Sequence, residues 1–316
     1  MRATLEKYAT EAEWLEARAT GIGASEAPAV MGLSRWKSPL ELWAGKRGLM
    51  APVTKTAAMD WGHRHEPTVA AWYAESTGDE VIDHGDYAIA RHPDLPFMYA
   101  TLDREVRRPG RREPGVLEIK TTRFERDWAD GVPREVWVQV QHQLCVSGAA
   151  WAVVAVLIGG NDPRHYEVDR DDAFIAELVS ACTAFWRMVQ DGEQPTDVGP
   201  GDADVIKTLY PEPTPGANVP LPLEAAAWDG ELLAVNDELK AGKERKAELE
   251  NRIKLAIGHA EAGTCSDGTT YTFKSQARKG SLQVESQYAE DLRAAGVAFT
   301  EKQASTYRVL RRKGAK

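Results

Sequence analysis

Residues 151–158, Trp-Ala-Val-Val-Ala-Val-Leu-Ile, are eight successive apolar side chains rich in β-branched residues. Neighbouring side chains on a strand point to opposite sides, so a strand reads this way only when both faces are covered. The run is too short to cross a bilayer as a helix. With 43% apolar and 28% charged residues, the chain has the balance of a globular protein in water. The flanking sequence supplies the layers such a strand needs. Pro133 to Val146 places Val136, Val140 and Leu144 on one helical face, and Asp172 to Gln190 is amphipathic. Upstream, Val81–Ala90, Phe97–Val106 and Val116–Thr122 read as strands, and Tyr166–Val168 reads as an edge strand. The order α, β, β, β, α, β specifies an α/β fold, a mixed central sheet flanked by helices.

Earlier helices are expected over residues 11–19 and 25–47. Within the second, Ser38-Pro39-Leu40-Glu41 has the capping-box pattern with proline at the first helical position. Ala57 to Ser76 reads as a further helix that Pro67 either kinks or begins, with Gly78 after it. The core is therefore expected over residues 1–195. A Pro/Gly-rich linker or strap is expected at 196–222, and a helical and small β extension at 223–316. In that extension Leu232, Val235, Leu239, Leu249, Ile253 and Ile257 form a stripe interrupted by Lys240 to Lys246. Short strands are expected at Thr269–Lys274 and Ser305–Arg311. Cys145, Cys182 and Cys265 have neither metal-ligand spacing nor a disulfide framework, and Met1 to Glu16 lacks an apolar leader core. Both features lead to the expectation of a cytoplasmic protein with no membrane partner.

A formal net charge of −9 does not by itself exclude nucleic acid, because binding depends on where the cations sit. They cluster at Arg35/Lys37/Lys46/Arg47, at Arg107 to Arg112, and at Arg308 to Lys313. The middle cluster is a turn-prone loop between two strand-like runs. Asp103 lies before it, and Gly115-Val116-Leu117-Glu118-Ile119-Lys120 lies after it. In a hairpin, one carboxylate then falls on each of two neighbouring strands. Strand alternation puts Glu118 and Lys120 on one face, and Leu117, Ile119 and Thr121 on the other. Asp103, Glu118 and the Ile119 carbonyl suit a hard Mg²⁺ ion, and Lys120 can polarise water and steady charge on a phosphate. Glu-x-Lys alone also fits a solvated strand face. Of the ten tryptophans, Trp36 between Arg35 and Lys37 is the candidate for DNA contact.

Five segments in order widen the pattern: Arg18 to Glu26, Trp61 to Pro67, Ala100 to Asp103, Leu117 to Lys120, and Gln139 to Leu144. On these, residues 14–190 resemble the phage recombination exonucleases of the lambda-type and YqaJ-like group, within the PD-(D/E)xK nuclease superfamily. The resemblance implies a restriction-endonuclease-like core in which Asp103 and Glu118 bind metal and Lys120 is catalytic. It also implies that Glu66 helps hold the second metal or its water, and that Gln139 sits by the scissile phosphate. Gln143 is one helical turn from Gln139 and faces with it, while Gln141 and His142 read as structural. Arg18 and Ser25 match a pair that receives a terminal 5′-phosphate, with Ser25 expected to cap a helix starting at Glu26. Thr101-Leu102-Asp103 departs from the usual small residue and proline before the aspartate, although Thr101 can offer a hydroxyl near a phosphate.

The implied activity is a two-metal, Mg²⁺-dependent 5′→3′ exonuclease on linear double-stranded DNA, with Mn²⁺ able to substitute. The implied product is a 3′ overhang for a single-strand annealing protein. The implied assembly is a trimeric ring, encoded by a phage or prophage and working in a bacterial host. The rival readings are a sequence- or structure-specific endonuclease, and a catalytically silent DNA-end-binding scaffold.

Overall fold

The computed structural model describes residues 3–51, 54–273 and 288–297. It divides into two compact units, Met1–Pro211 and Glu212–Lys316. The first unit begins with β1 (Thr4–Lys7), α1 (Glu11–Ala19), β2 (Ile22–Gly23), α2 (Ala27–Val30), α3 (Pro39–Lys46) and α4 (Ala57–Thr77). Then come β3 (Glu80–Ile82), β4 (Ala88–Arg91), β5 (Met98–Ala100), β6 (Arg104–Arg107) and β7 (Gly115–Thr122). It closes with α5 (Arg134–Ser147), β8 (Trp151–Ile158), β9 (Asp162–Asp169), α6 (Asp172–Asp191) and α7 (Ala203–Leu209).

The fold is mixed α/β, but its strands form two sheets. One has the order β1-β4-β5-β2 and the other β3-β6-β7-β8-β9. The two long strands expected at 81–90 and 97–106 each break and serve both sheets. The first breaks at a turn where Gly85 takes φ +92° and its N–H donates to Asp83 Oδ1 (2.7 Å). The second breaks at Thr101 to Asp103, where the chain crosses from one sheet to the other.

In the five-stranded sheet β7 pairs antiparallel with β6 and parallel with β8. The parallel step requires the crossover that α5 provides. The 151–158 run is buried on both faces as its composition demands. Ala152, Val154, Val156 and Ile158 join the core beneath α5 and α6, while Trp151, Val153 and Ala155 pack with Val69, Ala70 and Tyr73 of α4. β9 is a full edge strand rather than a three-residue one.

The helices start and stop as their ends dictate. Ser38 Oγ accepts from the Glu41 N–H (3.0 Å) with Pro39 next to it, and Asp171 Oδ1 accepts from the Phe174 N–H (3.0 Å). Pro67 lies inside α4 and neither begins nor ends it, and Gly78 closes that helix at φ +75°. The 25–47 stretch is not one helix. A 3₁₀ turn at Ala24–Glu26, the short α2 and α3 replace it.

The expected linker also contains structure. α7 lies within 196–222, its Val205 is buried in the main core, and Ser38 Oγ donates to Asp202 Oδ1 (2.5 Å). The first unit therefore extends to Pro211. In the second unit α8 (Ala225–Ile257) is followed by an antiparallel hairpin of β10 (Ala262–Thr264) and β11 (Thr270–Thr272), then α9 (Ala289–Ala294). The strand expected at 305–311 and the basic cluster 308–313 lie outside the described residues.

Candidate active site

The strand β7 carries Glu118 and Lys120 into one corner, and its neighbours complete it. Asp103 stands one residue before β6, at the sheet crossover, rather than within a strand. The β6–β7 ladder stops at Arg104 opposite Leu117, and beyond it Asp103 Oδ2 accepts the Ile119 N–H (2.7 Å). A strand residue directs its N–H and C=O to the same side. The Ile119 carbonyl therefore opens toward Asp103.

Glu118 is 1% exposed, and a carboxylate that deep must be neutralised by charge or hydrogen bonds. Three donors meet it. Lys120 Nζ pairs with Oε1, Gln139 Nε2 donates to Oε1 (2.6 Å), and Gln143 Nε2 donates to Oε2 (2.5 Å). Gln139 also accepts from Lys120 Nζ (3.2 Å), which closes a ring of three side chains with Glu118, and Gln143 braces it from outside. Gln143 thus has a role that sequence reasoning left unassigned. Its one-turn spacing from Gln139 was the available signal.

The charges in this corner press on each other. Burial first, then the Glu118 charge, raises the Asp103 carboxyl well above its usual range. Burial lowers Lys120, but Glu118 and Asp103 outweigh it and hold the ammonium proton more tightly than usual. Burial also raises Glu66, with the nearby Glu118 adding to the effect and His63 opposing it. Glu66 is held by His63 Nδ1 (3.3 Å) on the same helix.

Among the described residues, no three His, Cys, Asp or Glu side chains gather into a metal-holding cluster. The structure thus does not bring Glu66 into one ligand set with Asp103 and Glu118. Two carboxylates and the Ile119 carbonyl do fit Mg²⁺ in kind, because that ion takes one or two carboxylates and keeps several waters. A divalent cation between Asp103 and Glu118 would also reverse the repulsion that raises Asp103.

A cavity of about 330 Å³ opens beside this corner, lined by Ser25, Trp36, Lys120, Thr122, Trp128 and Gln139 among others. Trp36 is 79% exposed, with the Arg35 guanidinium 5.3 Å from its ring centre. Arg35 is itself fixed by Glu135 (2.8 Å) and Asp127 (3.1 Å). Ser25 borders the cavity but caps no helix. It lies inside the 3₁₀ turn rather than in front of it, and the Gly23 N–H is taken by Glu26 Oε2 (2.8 Å) instead.

Arg18 does not line the cavity. Its guanidinium lies 4.2 Å from the Trp14 ring centre, and its carbonyl accepts from Lys46 Nζ (3.1 Å) and the Tyr99 hydroxyl (3.0 Å). Thr101 Oγ1 is buried and makes no hydrogen bond among the described residues, so its hydroxyl is enclosed rather than offered at the cavity.

The basic loop at Arg107 to Arg112, one of the three cation clusters, is largely neutralised within the protein. Arg108 Nε binds Asp79 (2.9 and 3.2 Å), Arg108 and Arg111 both pair with Glu167, and Arg107 pairs with Glu105 (3.3 Å). Arg108 and Arg111 also lie over the Trp151 ring, at 4.7 and 4.4 Å from its centre. A Cβ at Gly115 would sit 2.6 Å from that ring, so the tight hairpin end requires glycine. This loop is a clamp that fixes the hairpin carrying the site.

Gln141 and His142 are structural, as read from the sequence. Gln141 bridges the Asp169 carbonyl (2.8 Å) and the Asp171 N–H (2.9 Å). His142 Nε2 donates to the Tyr99 carbonyl (3.1 Å), which leaves Nδ1 buried without a partner among the described residues. Burial lowers this imidazole to about 4. An unfolded histidine takes up its proton near pH 6.5. Between those values the unfolded chain binds more protons, so stability falls as pH falls. His142 should contribute fully above pH 6.5 and cost about 2 kcal/mol by pH 5. Urea unfolding at pH 7.5 and 5.0 checks this. The wild-type loss should exceed that of His142→Gln by that amount, and equal losses would contradict it.

A family model described as the YqaJ-like viral recombinase domain matches residues 13–150. Over 260 residues the chain is 34% identical to the "Uncharacterized protein YqaJ" of Bacillus subtilis (strain 168), covering 79% of each. The chain belongs to the YqaJ-like viral recombinase family. All five sequence segments that carry the resemblance fall within the matched 13–150 region. Among solved structures, this YqaJ-like chain is similar to an alkaline exonuclease, LHK-Exo, from Laribacter hongkongensis. That match has a TM-score of 0.49 and 26% identity, over 57% of this chain and 93% of that one. It is also similar to a phage related exonuclease from Haemophilus somnus 129PT, with a TM-score of 0.40 and 11% identity over 54% and 96% of the two chains. No helix among the described residues is long and apolar enough to cross a membrane.

Proposed function

We propose that this YqaJ-like chain is a Mg²⁺-dependent 5′→3′ exonuclease that degrades one strand of linear double-stranded DNA. The observation that carries the reading is the convergence of Asp103, Glu118, Lys120 and Gln139 beside an open cavity. Asp103, Glu118 and the Ile119 carbonyl would hold Mg²⁺, which when bound would supply a Lewis acid for the phosphate and lower the pKa of water. Mn²⁺ would meet the same oxygen donors and substitute for it.

Lys120 orients the attacking water and offsets the negative charge that builds on the phosphate. Gln139 fixes the Lys120 ammonium and adds an amide donor near the scissile bond. Glu66, on α4, would help to hold a water beside the site. Gln143 donates to Glu118 Oε2 and fixes that carboxylate in its buried position.

Trp36 at the cavity rim stacks on an unpaired base, and Arg18 with Ser25 receives the 5′-phosphate. Arg18 lies outside the cavity in this arrangement, so it must swing toward Ser25 when an end binds. The product is a 3′ overhang suited to a single-strand annealing protein. The chain works as a ring around DNA, a trimer by resemblance, in the cytoplasm of a bacterial host that carries a phage or prophage.

The experiment compares 5′-phosphorylated linear, dephosphorylated linear and closed circular DNA, with Mg²⁺ or with chelator. Linear DNA with a 5′-phosphate should be digested fastest and the circle left whole. Cutting of the circle would favour an endonuclease, and no metal-dependent digestion of any substrate would leave an end-binding scaffold.

A further inference from the structure

The longest helix of the second unit points to a self-association that the nuclease chemistry does not need. α8 has 33 residues and none of them is buried. At 1.5 Å per residue it is about 50 Å long. Trp228, Leu232, Val235, Leu239 and Leu249 are 43–58% exposed.

These residues follow a strict seven-residue repeat. Trp228, Val235, Gly242, Leu249 and Ala256 occupy one heptad position, and Leu232, Leu239, Lys246 and Ile253 occupy the other. A helix lying on a globular core shows a wider apolar stripe, whereas an alternating four-three spacing is a coiled-coil seam. Gly242 and Lys246 are the two interruptions.

The residues flanking the seam, together with its two interruptions, decide what it meets. In the first half the flanking residues are Asp229, Glu231, Asn236 and Glu238; in the second they are Lys243, Arg245, Glu250 and Arg252. A parallel in-register pair would set Glu238 beside Lys243 and Arg245 beside Glu250, but it would stack Lys246 on Lys246 and Gly242 on Gly242 in the seam. An antiparallel pair of identical helices keeps opposite charges together and avoids both stacks. Glu231 then faces Arg252 of the second copy, Glu238 faces Arg245, and only Asp229 against Glu250 is unfavourable.

The same register stacks Leu232 on Leu249 and Trp228 on Ile253. It sets Gly242 against the bulkier Leu239, and Lys246 lays its methylene stem over Val235. The two interruptions of the stripe therefore meet large apolar partners.

We propose that α8 pairs antiparallel with α8 of a second copy of this chain. Such a pair is two-fold and cannot by itself close a three-membered ring, so it joins chains beyond any ring that encloses DNA.

The test uses the full chain with Cys265→Ser, because Cys265 is the exposed cysteine while Cys145 and Cys182 are buried. Leu232→Cys and Leu249→Cys chains carrying different tags are co-expressed and oxidised. The expected result is a disulfide between the two different chains, with neither variant cross-linking when expressed alone. Equal cross-linking by Leu232→Cys alone would establish a parallel pair, and no inter-chain disulfide in the mixture would leave α8 to another occupant. Either result overturns the proposal.

Sedimentation gives an independent reading. Glu231→Arg/Glu238→Arg should halve the mass of the assembly, as should Arg245→Glu/Arg252→Glu. Mixing the two variants should restore the wild-type mass, and a mass unchanged in either variant would overturn the proposal. Neither readout depends on nuclease activity, so this pairing and the nuclease reading stand or fall separately.

Discussion

Lys120→Ala should reduce the rate of DNA hydrolysis by roughly 10²–10³-fold or more, the cost of removing one preorganised donor to developing charge. The ammonium is the one cationic group of the Glu118 ring, held by Glu118 and by Gln139 at 3.2 Å. The fold should survive the change. Glu118 would keep the Gln139 and Gln143 amides at 2.6 and 2.5 Å, and 31% of the Lys120 side chain is exposed, so water can enter in its place. DNA affinity should change little, because the lost interaction grows only as the phosphate gains charge. Single-turnover digestion measured beside DNA binding separates the two effects. Wild-type turnover by the variant would remove Lys120 from the chemistry.

Asp79→Ala should produce the largest loss of stability, about 3–5 kcal/mol, because it strands a partner charge that is partly buried. Asp79 is 5% exposed and binds the Tyr73 hydroxyl (2.5 Å) as well as Arg108 Nε. Burial first, and then Asp79, pushes the Tyr73 hydroxyl up to about 12, so it remains a donor across the working pH range. Without the carboxylate, Arg108 keeps Glu167 and the Trp151 ring but loses its buried anchor. Asp79→Asn should cost less, since it keeps an acceptor for Tyr73. Urea unfolding of the three proteins checks the order, and an Asp79→Ala midpoint equal to wild type would contradict it. A secondary fall in nuclease rate is expected, because this clamp holds the closed end of the hairpin that carries the site.

What was legible in the sequence was local. The β-branched run at 151–158 declared a strand buried on both faces, and the alternation through 115–122 separated Glu118 and Lys120 from Leu117 and Ile119. The one-turn spacing of Gln139 and Gln143 placed them on a common face, and their shared grip on Glu118 follows once α5 covers that face.

The illegible features depend on residues far apart in the chain. Asp79 meets Arg108 across 29 positions, and Arg108 meets Glu167 across 59. No local pattern announces such partners, so a run of arginines that reads only as a basic turn proves to be a structural clamp. The division of 81–90 and 97–106 between two sheets was hidden for a related reason. Strand propensity marks extended backbone but does not say which neighbour each half will pair with. Ser25 was misread as a cap because a 3₁₀ turn and an α-helix begin with similar residues. Asp103 was recognised as a carboxylate beside Glu118, yet its use as the hydrogen-bond partner of Ile119 required the ladder to end at Arg104.

The corner of Asp103, Glu118 and Lys120 is proposed to hydrolyse DNA from a 5′ end with Mg²⁺. The most direct measurement is the fate of a label at the 5′ end of one strand of a linear duplex after Mg²⁺ is added. The 5′ label should leave as a mononucleotide from the earliest times, while a 3′ label on the same strand stays in a shortening polymer. Early loss of the 3′ label, release of the 5′ label in long fragments, or no release with Mg²⁺ would contradict this proposal.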